Sequence, residues 1–321
     1  MKVAITDYSF DDLDIEVSVL KPLGCQVVGQ KSGRDVTQLI ALVQDADYVI
    51  TQFAPLTAEV IGAMRKNRVI VRYGIGVDNV DLKAAAGKGI PVCNVPDYCT
   101  DEVADHTLAM ILDLVRRITS NALRVRSGTW GLGVPLDAMH SLKDMTVGVV
   151  AFGRIGREVV NRLKAFKCRV LVFDPGVDAT AILAAGGVPA SFDELLARSD
   201  LVTLHCPSTD KTRQIINAQS IGRMKSGALF VNASRGTLVK TEDLVAALQG
   251  GRISAAALDV TDPEPPPPDH PLVKMENVFI TSHIASASPQ AALKLRTDAA
   301  NIVAIAIRGG RVPNVVNGVT A

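Results

Sequence analysis

The sequence lacks a dominant charge. Its 34 Lys and Arg nearly cancel its 33 Asp and Glu. Such a balance offers no electrostatic reason to expect nucleic acid or an anionic membrane as partner. It also lacks any C-x-x-C pair: the five cysteines, Cys25, Cys93, Cys99, Cys168 and Cys206, are isolated and odd in number. That pattern excludes a disulfide framework and argues for reduced, packed thiols in a cytoplasmic protein. No metal site is expected. No apolar run approaches the roughly 18 uncharged residues that a membrane helix needs. The opening MKVAITDYSF has neither the apolar core nor the small-residue cleavage site of a secretory signal. No internal repeat is visible, and the one low-complexity patch, Pro263 to Pro271, reads as a stiff loop.

What is present is length and alternation. At roughly 100–200 residues per domain, 321 residues suggest two domains. Short apolar runs at Val3–Thr6, Tyr48–Gln52, Val69–Gly74 and Pro91–Val95 read as buried strands, with helical spacing between them, as at Val36–Val43. A second series follows at Thr146–Gly153, Arg169–Asp174, Leu201–His205, Ala228–Ser234, Ser254–Val260 and Val278–His283. Near-continuous apolar strands separated by helices indicate parallel sheets covered on both faces. Two α/β domains are therefore expected. Between the series, Thr100 to about Ser127 reads as one continuous helix, with Thr100 as N-cap, acids in the first turn and arginines at the end. Its roughly 42 Å would suffice to link domains or to build an oligomer interface. A last helix is expected over about Pro289–Arg308, then an extended tail.

The strand from Val147 runs into AFGRIGREVVNRL, a G-x-G-x-x-G pattern with Ala151 in the first glycine position. Gly153 lets backbone approach a pyrophosphate, Gly156 lets helix pack on strand, and the helix start attracts the anion. Alanine at 151 strains this turn slightly. Asp174 ends the next strand, where a carboxylate accepts from ribose hydroxyls and repels a 2′-phosphate. NAD is thus expected over NADP.

Three later segments each place a polar residue just past a predicted strand: Arg235 in VNASRG, Glu264 in LDVTDPEP and His283 in TSHIAS. Ligands bind at that edge of open α/β sheets. A guanidinium grips a carboxylate in a bidentate way. An imidazole exchanges a proton with a carbonyl oxygen as hydride arrives at carbon. A carboxylate bonded to that imidazole orients it and stabilises its charged form. The trio suits interconversion of small 2-keto and 2-hydroxy acids.

In these segments the sequence resembles the D-isomer-specific 2-hydroxyacid dehydrogenases over essentially its whole length. RYGIGVDNVD (Arg72 to Asp81) is similar to the family's substrate loop, and Asn94 to Arg117 to the segment that enters its cofactor domain. The resemblance implies two Rossmann-like, doubly wound domains. A discontinuous substrate domain (1–99 and 288–321) would receive an inserted NAD-binding domain (100–287). It implies catalysis by Arg235, Glu264 and His283. It also implies cofactor contacts from Gly153, Arg154, Ile155, Gly156, Asp174, Cys206, Pro207, Ala233, Ser234, Arg235, Asp259 and His283. Among these, Asp259 would face the nicotinamide. Arg72, Tyr73, Gly74, Ile75 and Arg235 would bind substrate, Tyr73 to Ile75 through backbone N–H groups. A homodimer through the cofactor domain is implied too. Glu264 departs from the Gln of related formate dehydrogenases. Ser286 stands where the C-terminal binding protein corepressors carry Trp, and the chain stops at Ala321, short of the regulatory domains of longer phosphoglycerate dehydrogenases. An NAD-sensing corepressor-like binding protein and an NADP-linked glyoxylate reductase are the alternatives. Glyoxylate, hydroxypyruvate, phosphoglycerate and bulkier 2-keto acids all stay open as substrates, as does the direction of the reaction.

Overall fold

Strand-forming runs of Val, Ile, Leu and Ala assemble into two all-parallel sheets in a computed structural model that describes residues 1–320. The chain divides into two compact units. One comprises Met1–Tyr98 together with the stretch from Ser288 onward; the other is Cys99–Ala287.

The first unit holds β1 (Lys2–Ile5), β2 (Gln26–Gly29), β3 (Tyr48–Thr51), β4 (Val69–Arg72) and β5 (Val92–Cys93), in the order β2-β1-β3-β4-β5. All four residues of β3 and of β4 are buried, as expected of strands covered on both faces. The helix Pro289–Ile307 completes one face: Leu295, Ala299, Ala300 and Val303 pack with Val3, Ile5, Val71 and Tyr73. A buried ion pair also ties it to the first helix, Asp14–Leu20. Arg296 Nε and Nη2 donate to the fully buried Glu16 at 2.9 and 2.8 Å, and the Tyr73 hydroxyl donates to the same carboxylate at 2.8 Å.

The second unit holds β6 (Thr146–Val150), β7 (Arg169–Phe173), β8 (Val188–Pro189), β9 (Leu201–Leu204), β10 (Ala228–Asn232), β11 (Ile253–Leu258) and β12 (Val278–Ile280). Their order, β12-β11-β10-β9-β6-β7-β8, is the doubly wound nucleotide-binding order with one strand added. The chain reverses direction across the sheet between β6 and β9, which makes the crevice at their carboxyl ends the expected ligand position. The short strands β2 and β8 have no counterpart in the sequence reading, because β2 is half exposed and β8 has two residues.

The single long helix expected from Thr100 to Ser127 is instead two: Thr100–Arg116 and Ile118–Arg126. Arg117 between them adopts a left-handed conformation, φ 54°. Cys99, not Thr100, occupies the N-cap. The break has a burial logic. The first helix buries Val103, Thr107, Met110, Ile111 and Leu114, whereas the second buries nothing. Arg162 gathers the first helix's acids against the helix Arg154–Ala165, donating to Asp101 and Asp105 at 2.6 Å each and to Glu158 at 2.8 Å. No helix among the described residues is long and apolar enough to cross a membrane.

Candidate active site

The phosphate turn begins where β6 ends. Ala151 holds φ 78°, the left-handed region that favours glycine, so the methyl group of this first-glycine position is accommodated at the cost of strain. Its N–H donates to Phe173 O at 2.7 Å. Asp174 then fastens the turn: its Oδ2 accepts from Phe152 N–H at 2.7 Å and its Oδ1 from Gly176 N–H at 2.8 Å. A Cβ on Gly156 would lie 2.2 Å from the Ala151 carbonyl oxygen, so glycine is obligatory there. A Cβ on Gly153 would meet nothing within 4 Å. That glycine therefore leaves room, at the start of a helix of 12 residues, for a group from outside the protein. An open cradle, free amides of a helix start and a carboxylate at the next strand end fit the pyrophosphate and ribose of NAD. Arg154 is exposed beside the cradle, and Ile155 packs partly on the core. Cys206 is buried; its carbonyl accepts from Ser234 Oγ at 2.6 Å, which ties the loops after β9 and β10 together. Pro207 offers its carbonyl to Thr212 Oγ1 at 2.6 Å.

β10, β11 and β12 are neighbours, and Asn232, Leu258 and Ile280 lie in one register row. The residues that follow each strand therefore leave the sheet along one edge. After β10, the buried Asn232 folds the chain back on itself: Oδ1 accepts from Ser234 N–H at 3.0 Å and Nδ2 donates to Arg235 O at 2.8 Å. Arg235 Nη1 donates to Ser234 O at 2.7 Å. A Cβ on Gly236 would meet Thr261 O at 2.0 Å, so this turn presses directly on the loop that carries Glu264. Ala233 packs on the core. After β12, His283 Nδ1 lies 2.6 Å from Glu264 Oε1. A carboxylate only accepts, so Nδ1 carries the proton and donates, which turns Nε2 away from the pair. Arg235, Glu264 and His283 thus emerge from three adjacent strand ends.

Asp259 is 1% exposed, and its side chain is engaged by the turn that follows β12. Its Oδ1 accepts from Thr281 Oγ1 at 2.6 Å and Ile284 N–H at 2.9 Å, its Oδ2 from Ala285 N–H at 2.9 Å. Its carbonyl accepts from His283 N–H at 2.9 Å. Asp259 therefore builds the turn on which His283 sits at φ 56°. Asn232, Thr281 and His106, which supports Thr281, were missed from the sequence. Only the proximity of Asn232 to Arg235 and of Thr281 to His283 in the chain could have signalled two of them. His205 was unremarked as well. Burial holds its imidazole down at about 4, and its Nε2 lies 3.0 Å from Thr203 Oγ1.

In the first unit, Arg72 ends β4, buried, with its guanidinium 5.7 Å from the exposed ring of Phe53. Gly74 takes φ 141°, and a Cβ there would collide with Arg72 Nη1. Two of the three amides expected to bind substrate are engaged within the unit. Tyr73 N–H continues the ladder to Thr51 O at 2.8 Å, and Gly74 N–H closes a tight turn on Arg72 O at 2.9 Å. The Tyr73 side chain is buried too. A strand-end residue must satisfy its ladder first, so Tyr73 supports this turn from beneath and is not a ligand.

Residues 108–285 match the model of the D-isomer specific 2-hydroxyacid dehydrogenase NAD binding domain. A D-3-phosphoglycerate dehydrogenase from Archaeoglobus fulgidus is 37% identical over 292 residues, 89% of this chain and 54% of that protein. The chain spans about half the length of the curated phosphoglycerate dehydrogenases it matches. A glyoxylate reductase from Korarchaeum cryptofilum is 37% identical over 284 residues, 87% of this chain and 85% of that protein. The solved D-lactate dehydrogenase from Aquifex aeolicus, complexed with NAD and lactic acid, shares the fold with a TM-score of 0.85 at 29% identity, covering 96% of each chain. The chain belongs to the D-isomer specific 2-hydroxyacid dehydrogenase family, and the unit that carries the phosphate turn contains the family's NAD binding domain.

Proposed function

We propose that the protein interconverts a small 2-keto acid and a D-2-hydroxy acid, of the glyoxylate, hydroxypyruvate or phosphoglycerate type, with NAD as cofactor. The observation that carries this reading is the 2.6 Å pair of His283 Nδ1 and Glu264, one strand from Arg235. In reduction, Arg235 grips the substrate carboxylate and the neighbouring carbonyl oxygen with its fork of N–H donors. His283 Nε2–H gives its proton to that oxygen, and Glu264 holds the ring in place through Nδ1. In oxidation the neutral ring takes the proton back. Bound NADH or NAD supplies or removes the hydride. Gly153, Arg154, Ile155 and Gly156 would hold the pyrophosphate, and Asp174 the ribose. In the first unit, Arg72, Gly74 and Ile75 are assigned to substrate recognition, with Ile75 N–H as the principal backbone donor.

The names of the relatives differ in substrate, so the test is a panel. NADH oxidation is followed with glyoxylate, hydroxypyruvate, phosphohydroxypyruvate, pyruvate and bulkier 2-keto acids. At least one should turn over to the D product, with NADH preferred to NADPH by about tenfold or more in kcat/KM, since one repulsive contact is worth roughly 1.4 kcal/mol. Asp174→Ala should narrow that preference, and His283→Ala should lose about 10²–10⁴-fold in kcat. No turnover across the panel, or full activity in His283→Ala, refutes the reading.

We further propose a homodimer through the second unit. Ile118, Leu123 and Val125 on the helix Ile118–Arg126, with Trp130, Leu132 and Leu136 after it, are large, apolar and exposed, Trp130 at 89%. Apolar side chains gathered in one stretch fit a second copy of the chain. The five free thiols suit a reducing, cytoplasmic setting.

A further inference from the structure

His283 stands in a conformation that an L-residue adopts only when its surroundings impose it, φ 56°. What imposes it is Asp259, which receives the N–H groups of His283, Ile284 and Ala285 through its carbonyl and both carboxylate oxygens. Asp259 is in turn held from behind. The Thr281 hydroxyl lies 2.6 Å from Oδ1, and a carboxylate cannot donate, so the one hydroxyl proton is spent there. Thr281 Oγ1 can then only accept from its other neighbour, His106 Nε2, at 3.2 Å. The same nitrogen lies 3.6 Å from Asp259 Oδ1. The His106 ring therefore carries its proton on Nε2 and points it at this junction. His106 belongs to the helix Thr100–Arg116, so a polar relay joins that helix to the ends of β11 and β12.

We propose that His106 and Thr281 are positioning residues for the proposed catalytic His283, acting through Asp259. The inference rests on the reading of His283 as the proton donor. The relay fixes the backbone on which the imidazole is mounted, whereas Glu264 fixes the ring. Displacement of a catalytic group by a fraction of an ångström costs on the order of 10–100-fold in rate, while cofactor binding, which depends on the turn after β6, is left alone.

The test uses the full chain with the keto acid of highest turnover. Thr281→Val keeps the shape and removes the hydroxyl; kcat should fall about tenfold or more, with the NADH Kd unchanged within twofold. Thr281→Ser restores the hydroxyl and should restore kcat to within about threefold. His106→Leu should lower kcat as well, and His106→Gln, which keeps a donor N–H, should retain more of it. Because the two residues act in series, the Thr281→Val, His106→Leu double variant should lose little more than the worse single one. Wild-type kcat in Thr281→Val, failure of Thr281→Ser to rescue it, or multiplicative losses in the double variant would overturn the proposal. If Thr281→Val does not fold, the comparison of His106→Leu with His106→Gln decides it alone, since His106 is partly exposed. His283→Ala separates the two levels. Full activity there sinks the catalytic reading itself, whereas loss there with wild-type kcat in Thr281→Val and His106→Leu sinks only the relay.

Discussion

Single side chains divide into those that meet a ligand and those that hold them. Arg235 is of the first kind in our reading, and its planar fork matters more than its charge. Arg235→Lys should therefore raise the KM for the keto acid and lower kcat, together by at least 100-fold in kcat/KM, or about 3 kcal/mol. The NADH Kd should change little. Near-normal kinetics with the keto acid would remove Arg235 from the clamp. His205 is of the second kind and reports on stability. Its folded imidazole sits at about 4, below the roughly 6.5 of an exposed histidine. Above pH 6.5 the ring is neutral whether the chain is folded or not, and its contribution is whole. As pH falls from 6.5 toward 4, the unfolded chain takes up a proton that the folded one refuses, and stability is lost. The shift from 6.5 to about 4 puts the loss on the order of 1–3 kcal/mol. Urea unfolding at pH 7.5 and pH 5 should show it in the wild type and show a smaller loss in His205→Gln. Equal losses in both would assign the effect to other groups.

At the scale of elements, the strand–turn–helix at Thr146–Ala165 illustrates how little space separates the parts. Gly156 packs so near the Ala151 carbonyl that one methyl group cannot enter without moving the turn. Gly156→Ala should leave the fold of both units but displace the amides that face the pyrophosphate. The expected result is a rise in NADH Kd of about tenfold or more, read by nicotinamide fluorescence, with a stability loss of about 1–3 kcal/mol from overpacking. Unchanged NADH affinity would mean that this turn is not where the cofactor sits. The glycine pattern and the acid at the next strand end were legible because they follow local backbone sterics. The break at Arg117 was not legible. Nothing in RRI marks a helix end, and both flanks have helical propensity. What distinguishes them is burial: one helix has a core to lie on and the other does not.

At the scale of the molecule, the exposed apolar side chains from Ile118 to Leu136 are the face proposed for the homodimer. Leu123→Glu, placing a charge in that face, should shift the protein from dimer to monomer in sedimentation, and raise the concentration needed for any residual dimer. A wild-type monomer, or a dimer indifferent to the charge, would place association elsewhere. The sequence by itself determined the α/β class and the two strand series, since apolar runs of strand length separated by helical spacing admit few other folds. It also picked out Arg235, Glu264 and His283 as side chains of one sheet edge, since residues just past predicted strands need only the parallel sheet to share it. Tertiary structure alone decided what surrounds them. That Asp259 holds the turn of His283 depends on which amides fold back over it, and Thr281, Ile284 and Ala285 reach it only once β11 and β12 pair. Likewise Tyr73 is removed from the ligands because its N–H is claimed by β3 and its hydroxyl by Glu16. Backbone propensity is written locally; the partner of a buried polar group is not, because it arrives from a distant part of the chain.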